Sequence, residues 1–426
     1  MTDAARATNL TSAAGLIVRQ PRARAGGRLM PFDRWLGRQV QQRIADAPVR
    51  LELWDGRFAD GAPQRAAGDL IVHDRRVLIG LAMNPELYFG EAYAAGRLEV
   101  RGFLPDVLAA LSRRMAPRAA WRERLAAVLS PANSLTAARR NVHHHYDLGN
   151  DFYARWLDRE MVYTCAYYAD AEMSLEAAQR AKLDLVCRKL QLRAGETVVE
   201  AGCGWGALAR YMGRQYGVRV KAFNLSREQL DWARTRARTE GLDGQVEFIE
   251  DDYRNVTGEY DAFVSVGMLE HVGRASFHDL AHVVRRTVRR SGGRGLLHFI
   301  GRDAPRRLNP WIRRRIFPGA YTPTLAEVTA DVLAPAGMSV VDVENLRLHY
   351  ARTLAHWSSR FAVAREPVRE AYGEEFRRTW ELYLAGSEAA FALGWLQLFQ
   401  VVFSPRASRP PFLTRAILYG RDERPV

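Results

Sequence analysis

Hydrophobic residues in the second half of the chain occur in short apolar runs that alternate with stretches of helical spacing. Helical periodicity covers residues 172–192, 226–240 and 276–289. Five runs predict parallel strands, in the order VVEA, VRVKAF, VEFIE, YDAFVSV and GRGLLHFI. Strands and helices that alternate at this length predict an α/β fold, a doubly wound parallel sheet with helices on both faces. Two later runs, MSVVDVENL and LQLFQVVF, predict further strands.

The first part of the chain has a different pattern. Between residues 51 and 115, the runs LELWDG, GDLIVHD and VLIGLAM predict short strands, and helical stretches follow them, so we expect a small α+β unit. The first 30 residues are rich in Ala, Arg, Gly and Thr, which predicts a disordered tail. We therefore divide the chain into a tail (1–30), a smaller N-terminal domain (31–120), a helical linker (121–140) and a larger domain (141–426).

A glycine-rich turn connects the first strand of the larger domain to a helix, in the stretch VVEAGCGWGALARYM (198–212). Gly202, Gly204 and Gly206 allow a polar ligand to approach the backbone, and the free N–H groups of the following helix favour a polar or anionic group. The spacing departs from G-x-G-x-x-G, no acidic residue ends the second strand, and no Lys follows as in a P-loop. The turn therefore either binds S-adenosylmethionine or is purely structural.

Polar side chains follow the carboxyl ends of the other predicted strands. In a doubly wound sheet these ends form the ligand site. The residues concerned are Asn224 after the second strand, Asp252 and Tyr253 after the third, Glu270 and His271 after the fourth, and His298 at the end of the fifth.

Composition limits the partners and the compartment. The 62 basic and 48 acidic residues give a net charge of +14, which attracts a polyanion, either nucleic acid or an anionic membrane. The three cysteines (Cys165, Cys187 and Cys203) have neither metal-ligand nor disulfide-framework spacing, which suits a reduced cytoplasm. No apolar run reaches the about 18 residues of a membrane span, and we expect no secretion signal.

Several stretches, taken together and in order, resemble the cyclopropane-fatty-acyl-phospholipid synthase family. The resemblance covers residues 141–406, and FGEAYAAGRLEV (89–100) is similar to the family's smaller N-terminal, lipid-associated domain. The stretches are HYDLGNDFY (145–153), YTCAYY (163–168), EAGCGWG (200–206), DDYR (251–254), VGMLEHVG (266–273), LLHFIG (296–301), PWIRRRIFPGA (310–320) and QVVFSPR (400–406).

The resemblance implies a fold, a reaction and two bound groups. The fold is a mostly parallel seven-stranded methyltransferase sheet, and the late run LQLFQVVF suits its antiparallel strand. The cofactor is S-adenosylmethionine, and a methylene group is added across the cis double bond of an unsaturated acyl chain in a phospholipid. A bound bicarbonate acts as the base.

The resemblance also assigns site residues, which we carry over only where the motifs match. The cofactor residues would be Tyr163, Thr164, Gly202, Cys203, Gly204, Asn224, Gln229, Asp252 and Tyr253. The catalytic residues, which would hold the bicarbonate, are Cys165 (largely through its backbone), Glu270, His298, Ile300 and Tyr350.

The implied partner is unsaturated phospholipid in an anionic membrane surface, with no nucleic acid. The protein would be cytoplasmic and peripheral at the inner face of the membrane, and a homodimer is left open. In the stretch WIRRRIFPG, three arginines (313–315) lie beside Trp311, Ile316 and Phe317, which predicts a membrane-facing surface.

The sequence supports three alternatives to this interpretation less well. The same cofactor and substrate class would give a methyl-branched or methylene fatty acid if no base removed the methyl proton at once. A basic methyltransferase or binding protein acting on RNA would need stacking aromatics and a base-recognition motif near the cofactor, and the fourth strand ends in GMLEH instead. The triple His143-His144-His145 does not predict a metal site, because consecutive side chains point in different directions.

Overall fold

The computed structural model describes residues 27–113 and 148–419, which contain two β-sheets flanked by helices. The predicted linker, most of the tail and the three histidines at 143–145 lie outside the described residues, so the predicted boundaries stay predictions; below, the N-terminal domain means residues 27–113 and the larger domain means residues 148–419. The elements of residues 27–113 are α1 (Pro31–Arg43), β1 (Val49–Glu52), β2 (Gly68–Val72), α2 (Arg75–Met83), α3 (Pro85–Ala94), β3 (Leu98–Arg101) and α4 (Leu104–Ser112).

The run VLIGLAM is helical, so its prediction as a strand is wrong. It lies in α2, and the carboxylate of Asp74 accepts hydrogen bonds from the backbone N–H groups of Arg76 (2.8 Å) and Val77 (3.1 Å). This cap satisfies donors at the start of the helix, and Val77 and Leu81 then lie buried on one face. The third strand of the small sheet is β3, antiparallel to β2.

The larger domain follows the predicted alternation. Its elements are α5 (Asn150–Ala154), α6 (Leu175–Lys189), β4 (Thr197–Ala201), α7 (Ala207–Tyr216), β5 (Arg219–Asn224), α8 (Arg227–Thr239), β6 (Val246–Glu250), β7 (Ala262–Val266), α9 (Leu269–Val272), α10 (Phe277–Thr287), β8 (Arg294–Gly301), α11 (Pro310–Arg315), α12 (Leu325–Val328), β9 (Met338–Asn345), α13 (Arg347–Val363), α14 (Arg365–Tyr372), α15 (Glu374–Leu393), β10 (Gln397–Pro405) and α16 (Ala416–Tyr419).

The seven strands of this domain form one sheet in the order β6-β5-β4-β7-β8-β10-β9. Strands β4 to β8 pair in parallel, and β10 pairs antiparallel with both β8 and β9. The predicted fold class is confirmed, including the antiparallel late strand. The strand order reverses beside β4, so the carboxyl ends of β4 and β7 form the switch point where ligands bind in such sheets.

The stretch WIRRRIFPG lies between the two domains, so its predicted apolar insertion into a membrane is wrong. Trp311 is 4% exposed, and a Cβ added at Gly90 of α3 would lie 2.4 Å from its ring. Arg315 pairs with Glu91 of the N-terminal domain and with Glu375 of α15. Short-range sequence pattern cannot distinguish an aromatic and basic segment that faces lipid from one that joins two domains.

Helix α15 is the main support of the N-terminal domain, because α3 and α4 pack along it. Arg378 of α15 is 7% exposed and donates hydrogen bonds to the carbonyl oxygens of Tyr93 and Leu98. Apolar residues from both domains form one hydrophobic cluster. Within the described ranges, no helix is both long and apolar enough to cross a membrane.

Candidate functional site

The glycine-rich turn adopts a conformation that glycine alone reaches easily. Gly202, Gly204 and Gly206 have φ angles of +83°, +53° and +74°, in the left-handed region. The turn connects β4 to α7 at the switch point and borders a cavity of about 160 Å³, which we call the glycine-turn cavity. Where Gly202 and Gly204 line this cavity, a bound ligand would meet the backbone.

All of the predicted cofactor residues line the glycine-turn cavity, although they come from four separate segments of the sequence. They are Tyr163, Thr164, Gly202, Cys203, Gly204, Asn224, Gln229, Asp252 and Tyr253. The order of the strands brings them together, because the carboxyl ends of β4, β5, β6 and β7 meet at one edge of the sheet.

Some of these side chains already have partners and others do not. The amide nitrogen of Asn224 donates to the carbonyl of Gly204 (3.2 Å) and to Oε1 of Gln229 (2.8 Å). Both carboxylate oxygens of Asp252 accept from Arg254, at 2.8 and 3.0 Å. In contrast, Nε2 of Gln229 and the hydroxyl of Tyr253 are buried without a hydrogen-bond partner. Buried polar groups are normally paired, so these two atoms are the ones that a ligand would satisfy.

Two charged residues that line this cavity are not among the cofactor residues predicted from the sequence. Lys182 and Glu200 are each 2% exposed and line the cavity, and Nζ of Lys182 donates to Oγ1 of Thr164 (2.7 Å). Burial lowers the pKa of Lys182 to about 8 and raises that of Glu200 to about 8. The sequence does contain an indication of this site. Lys182 occupies a core position of a predicted helix, where a charged residue is rare unless it is paired.

A second, larger cavity of about 450 Å³ lies between the two domains, and we call it the interdomain cavity. All five predicted catalytic residues line it: Cys165, Glu270, His298, Ile300 and Tyr350. It shares Tyr163, Thr164, Gly267 and His271 with the glycine-turn cavity, so the two cavities adjoin.

Glu270 and His298 are two buried titratable residues that line the interdomain cavity. Oε1 of Glu270 accepts from the backbone N–H of Ile300 (2.5 Å), whereas Oε2 is buried without a partner. Nε2 of His298 is likewise buried and unpaired. Burial raises the pKa of Glu270 to about 7, and burial with the charges of Lys182 and Lys189 holds the pKa of His298 well below its usual value.

The remaining predicted catalytic residues have supporting contacts. The thiol of Cys165 lies 3.1 Å from the carbonyl oxygen of Ala166, and burial raises its pKa, so it is a neutral thiol and not a thiolate. Tyr350 packs against Phe391, with ring centroids 4.4 Å apart. The backbone N–H of Ile300 donates a hydrogen bond to the carboxylate of Glu270 and so holds this carboxylate at the end of β8.

The N-terminal domain supplies one wall of the interdomain cavity, which sequence analysis did not predict. Its contribution is mainly apolar and comes from α1, β2, α2, α3 and α4, including Val40, Leu70, Leu81, Phe89, Leu108 and Leu111. Gly386 of α15 faces the same space, and a Cβ added there would come no closer than 3.9 Å to Leu108. Among the residues described, no group of His, Cys, Asp and Glu could hold a metal ion.

Comparison with known proteins places this arrangement in a family. The family model "Mycolic acid cyclopropane synthetase" matches residues 133–401. A probable fatty acid methyltransferase of Pseudomonas putida is 36% identical over 372 residues, covering 83% of this chain and 91% of that protein. The cyclopropane-fatty-acyl-phospholipid synthase of Escherichia coli K12 is 41% identical over 261 residues, covering 61% of this chain and 66% of that protein.

Solved structures agree with the sequence matches. The mycolic acid cyclopropane synthase CmaA1 complexed with SAH and CTAB superposes with a TM-score of 0.58 at 28% identity, covering 62% of this chain and 97% of that one. The family match, the methyltransferase sheet and the glycine turn at its switch point agree with one another. This chain therefore belongs to the mycolic acid cyclopropane synthetase family and is an S-adenosylmethionine-dependent methyltransferase.

Proposed function

We propose that this protein transfers a methylene group from S-adenosylmethionine to the cis double bond of an unsaturated phospholipid acyl chain, with bound bicarbonate as the base. The observation that carries the proposal is the junction of a glycine-turn cavity with a long apolar cavity at Tyr163, Thr164, Gly267 and His271. A sulfonium methyl group in the first cavity and an alkene in the second would meet there.

The cofactor fits the polar atoms of the glycine-turn cavity. Its amino-acid carboxylate would face Thr164, whose hydroxyl oxygen already accepts from Lys182 and so keeps its own hydrogen to donate. Its ribose would satisfy the unpaired Nε2 of Gln229. Its adenine would lie against Tyr253, beside the carboxylate of Asp252 that Arg254 holds in place.

A bicarbonate fits the two unpaired atoms of the interdomain cavity. Bicarbonate has both a hydroxyl donor and acceptor oxygens, so it would donate to Oε2 of Glu270 and accept from Nε2 of His298. Each buried polar atom left without a partner costs about 1–3 kcal/mol, so satisfying both favours binding. Tyr350 lines the same space and would close the site on its third side.

The residues of this chain would then perform four tasks. The apolar walls exclude water from the alkene, and the shared rim aligns the alkene with the cofactor's methyl group. Aromatic rings that line the cavity, among them Phe317 and Phe391, would stabilise the positive charge that methyl transfer creates. Glu270 and His298 would hold the bicarbonate, which would supply the base for the proton of the transferred methyl group as the ring closes.

Expression in a host that has unsaturated phospholipids but lacks this activity tests the proposal. We expect fatty-acid methyl esters one CH₂ heavier than the unsaturated parents, with a ring signature and no double bond by mass spectrometry. Product confined to free fatty acids, with none in the phospholipid fraction, would contradict the substrate assignment.

A second product has a specific observation in its favour. The Pseudomonas putida relative, which matches most of this chain, has the name fatty acid methyltransferase. The same alkylated cation would yield a methyl-branched alkene if the proton left a neighbouring chain carbon, and a methylene-branched chain if a hydride shift preceded loss of a proton from the methyl group. These products have the same mass as the ring, so chemical derivatisation of any double bond before mass spectrometry distinguishes them in the same experiment.

We also propose that α1 docks this cytoplasmic protein on the anionic face of a membrane. Phe32 and Trp35 are each more than half exposed and stack with their ring centroids 5.8 Å apart. Arg34 lies exposed beside them, and the following residues Val40 and Ile44 line the interdomain cavity. The same helix thus connects an amphipathic surface patch to the acyl cavity, and aromatic and basic side chains are suited to a lipid interface.

The double substitution Phe32→Ala/Trp35→Ala should weaken partition onto vesicles containing phosphatidylglycerol by about 10- to 100-fold, because each ring loses apolar burial. Vesicle sedimentation measures the effect. Turnover on detergent-dispersed lipid should stay unchanged. Val363→Ala, which removes apolar surface from an 88% exposed residue of α13, is the control. Equal partition of the double variant and wild type would rule out α1 as the docking surface.

A further inference from the structure

A buried chain of hydrogen bonds leads from α6 to the candidate catalytic histidine. Lys189, fully buried at the end of α6, places Nζ 2.7 Å from Oε1 of Gln400 and 2.5 Å from Oε2 of Glu344. Gln400 lies on β10, opposite His298 of β8 on one side and Glu344 of β9 on the other. Its Nε2 lies 3.1 Å from Nδ1 of His298.

The chemistry of these groups fixes the direction of every hydrogen bond. A lysine ammonium only donates, so the oxygen of the Gln400 amide must face Lys189. The NH₂ group of that amide then faces His298 and donates, so Nδ1 of His298 must be the acceptor. A neutral imidazole whose Nδ1 accepts has its hydrogen on Nε2, the atom that is buried without a partner.

The charge states agree with this direction. Burial lowers the pKa of Lys189, and the carboxylate of Glu344 opposes that shift and favours the ammonium form. A positively charged His298 would need a hydrogen on Nδ1, which would then face the NH₂ group of Gln400. Burial and the nearby lysines hold the pKa of His298 well below its usual value, so the ring is neutral.

We infer that Lys189 and Gln400 are positioning residues that hold His298 in its Nε2–H tautomer, so that it donates to an anion bound beside Glu270. His298 then cannot serve as the base, because the nitrogen that faces the cavity already has its proton. This inference rests on the proposed function for the identity of the anion. The tautomer itself does not depend on that identity. Lys189 and Gln400 are 211 positions apart in the sequence.

Gln400→Met removes the donor to Nδ1, and Lys189→Met frees the amide to rotate and present its oxygen to His298. Side-chain ¹⁵N NMR of histidine-labelled protein, with the His298 signals assigned from a His298→Phe variant, reads the tautomer directly. We expect Nε2–H in the wild type and a shift toward Nδ1–H in both variants. Lys221→Met, which removes a half-exposed surface lysine that forms an ion pair with Glu247, is the matched control and should keep Nε2–H.

The second measurement is the bicarbonate concentration that half-restores activity to carbonate-depleted enzyme. It should rise about 10- to 100-fold in Gln400→Met and Lys189→Met, as expected for one hydrogen bond to a charged group. The KM for S-adenosylmethionine should stay within about twofold, which a general loss of structure would not allow. If Lys189→Met fails to fold, Gln400→Met and the wild-type spectrum still decide the question.

The outcomes separate the two proposals. An Nδ1–H signal from wild-type His298 overturns the inference, whatever bicarbonate does. A shifted tautomer in Gln400→Met with an unchanged bicarbonate requirement overturns the positioning role. A wild-type enzyme that carries Nε2–H but ignores carbonate depletion supports the tautomer assignment and contradicts bicarbonate as the base.

Discussion

Glu270→Gln is expected to lower turnover by about 10²- to 10⁴-fold, the range that a positioned acid or base contributes. Gln keeps the shape of the side chain and an oxygen for the backbone N–H of Ile300, but it cannot accept the hydroxyl proton of bicarbonate. The KM for S-adenosylmethionine should change little, because Glu270 lies in the interdomain cavity and not in the glycine-turn cavity. Single-turnover kinetics with unsaturated phospholipid vesicles measures the effect.

The stability of this variant provides an internal control. Burial raises the folded-state pKa of Glu270 from 4.5 to about 7, so the folded protein holds this proton more tightly than the unfolded chain. The free energy of unfolding therefore falls as the pH rises from 4.5 to about 7, by about 3 kcal/mol in all. Gln has no such titration, so at pH 8 the variant should melt no earlier than the wild type.

Carbonate depletion of the wild type should mimic the substitution, and added bicarbonate should restore activity to the wild type but not to Glu270→Gln. If Glu270→Gln turned over as fast as the wild type, Glu270 would not be the residue that accepts the hydroxyl proton of bicarbonate. If depletion left wild-type activity intact, a side chain would have to be the base. His298 is excluded from that role by its inferred tautomer, which leaves Glu270 as the first group to test.

Gly206→Ala is expected to lower the free energy of unfolding by about 2–5 kcal/mol. A Cβ at this position would lie 2.5 Å from the ring of Phe248 and 2.8 Å from Cβ of Ala233. Overpacking of this kind costs about 1–3 kcal/mol, and the left-handed backbone adds about 1–2 kcal/mol for any residue with a side chain. Urea denaturation monitored by tryptophan fluorescence measures the loss.

Gly204→Ala is the matched comparison, two residues away in the same turn. A Cβ there meets no atom within 4 Å, and Gly204 lines the glycine-turn cavity. It should cost only the backbone term of about 1–2 kcal/mol, while its methyl group occupies cofactor space and weakens S-adenosylmethionine binding. Equal losses of stability in the two variants would contradict the tight packing described at Gly206.

The sheet and the cofactor edge were predictable because their signals are local and repeated. Most strands of the larger domain are short, mainly apolar runs, and a parallel sheet gathers the carboxyl ends of its strands at one edge. The sequence therefore predicts that Asn224, Asp252, Glu270 and His298 lie near one another. The roles of the matched residues came from the family resemblance, since neither Ile300 nor Tyr350 stands out by residue type.

Most of the features that the sequence did not predict depend on contacts between residues that are distant in the sequence, and the helix at VLIGLAM, whose cap is local, is the exception. The run VLIGLAM is apolar enough to form a strand, but the side chain of Asp74 caps the start of a helix there. In the sequence, Trp311 resembles a membrane anchor. In the structure, its ring packs against Gly90, where there is no side chain to block it. Lys189 and Gln400 occupy ordinary positions at a helix end and in an apolar strand, and only the pairing of β8 with β10 gives them a role.

The N-terminal domain forms one wall of the interdomain cavity. The residues that shape this cavity and the residues proposed to react in it therefore come from different parts of the sequence. Residues such as Leu81, Leu108 and Leu111 touch the space that we propose for the acyl chain, whereas Glu270 and His298 lie far downstream in the sequence. Under the proposed function, substitutions among residues 27–113 would change which acyl chain fits the cavity while Glu270 and His298 stay unchanged.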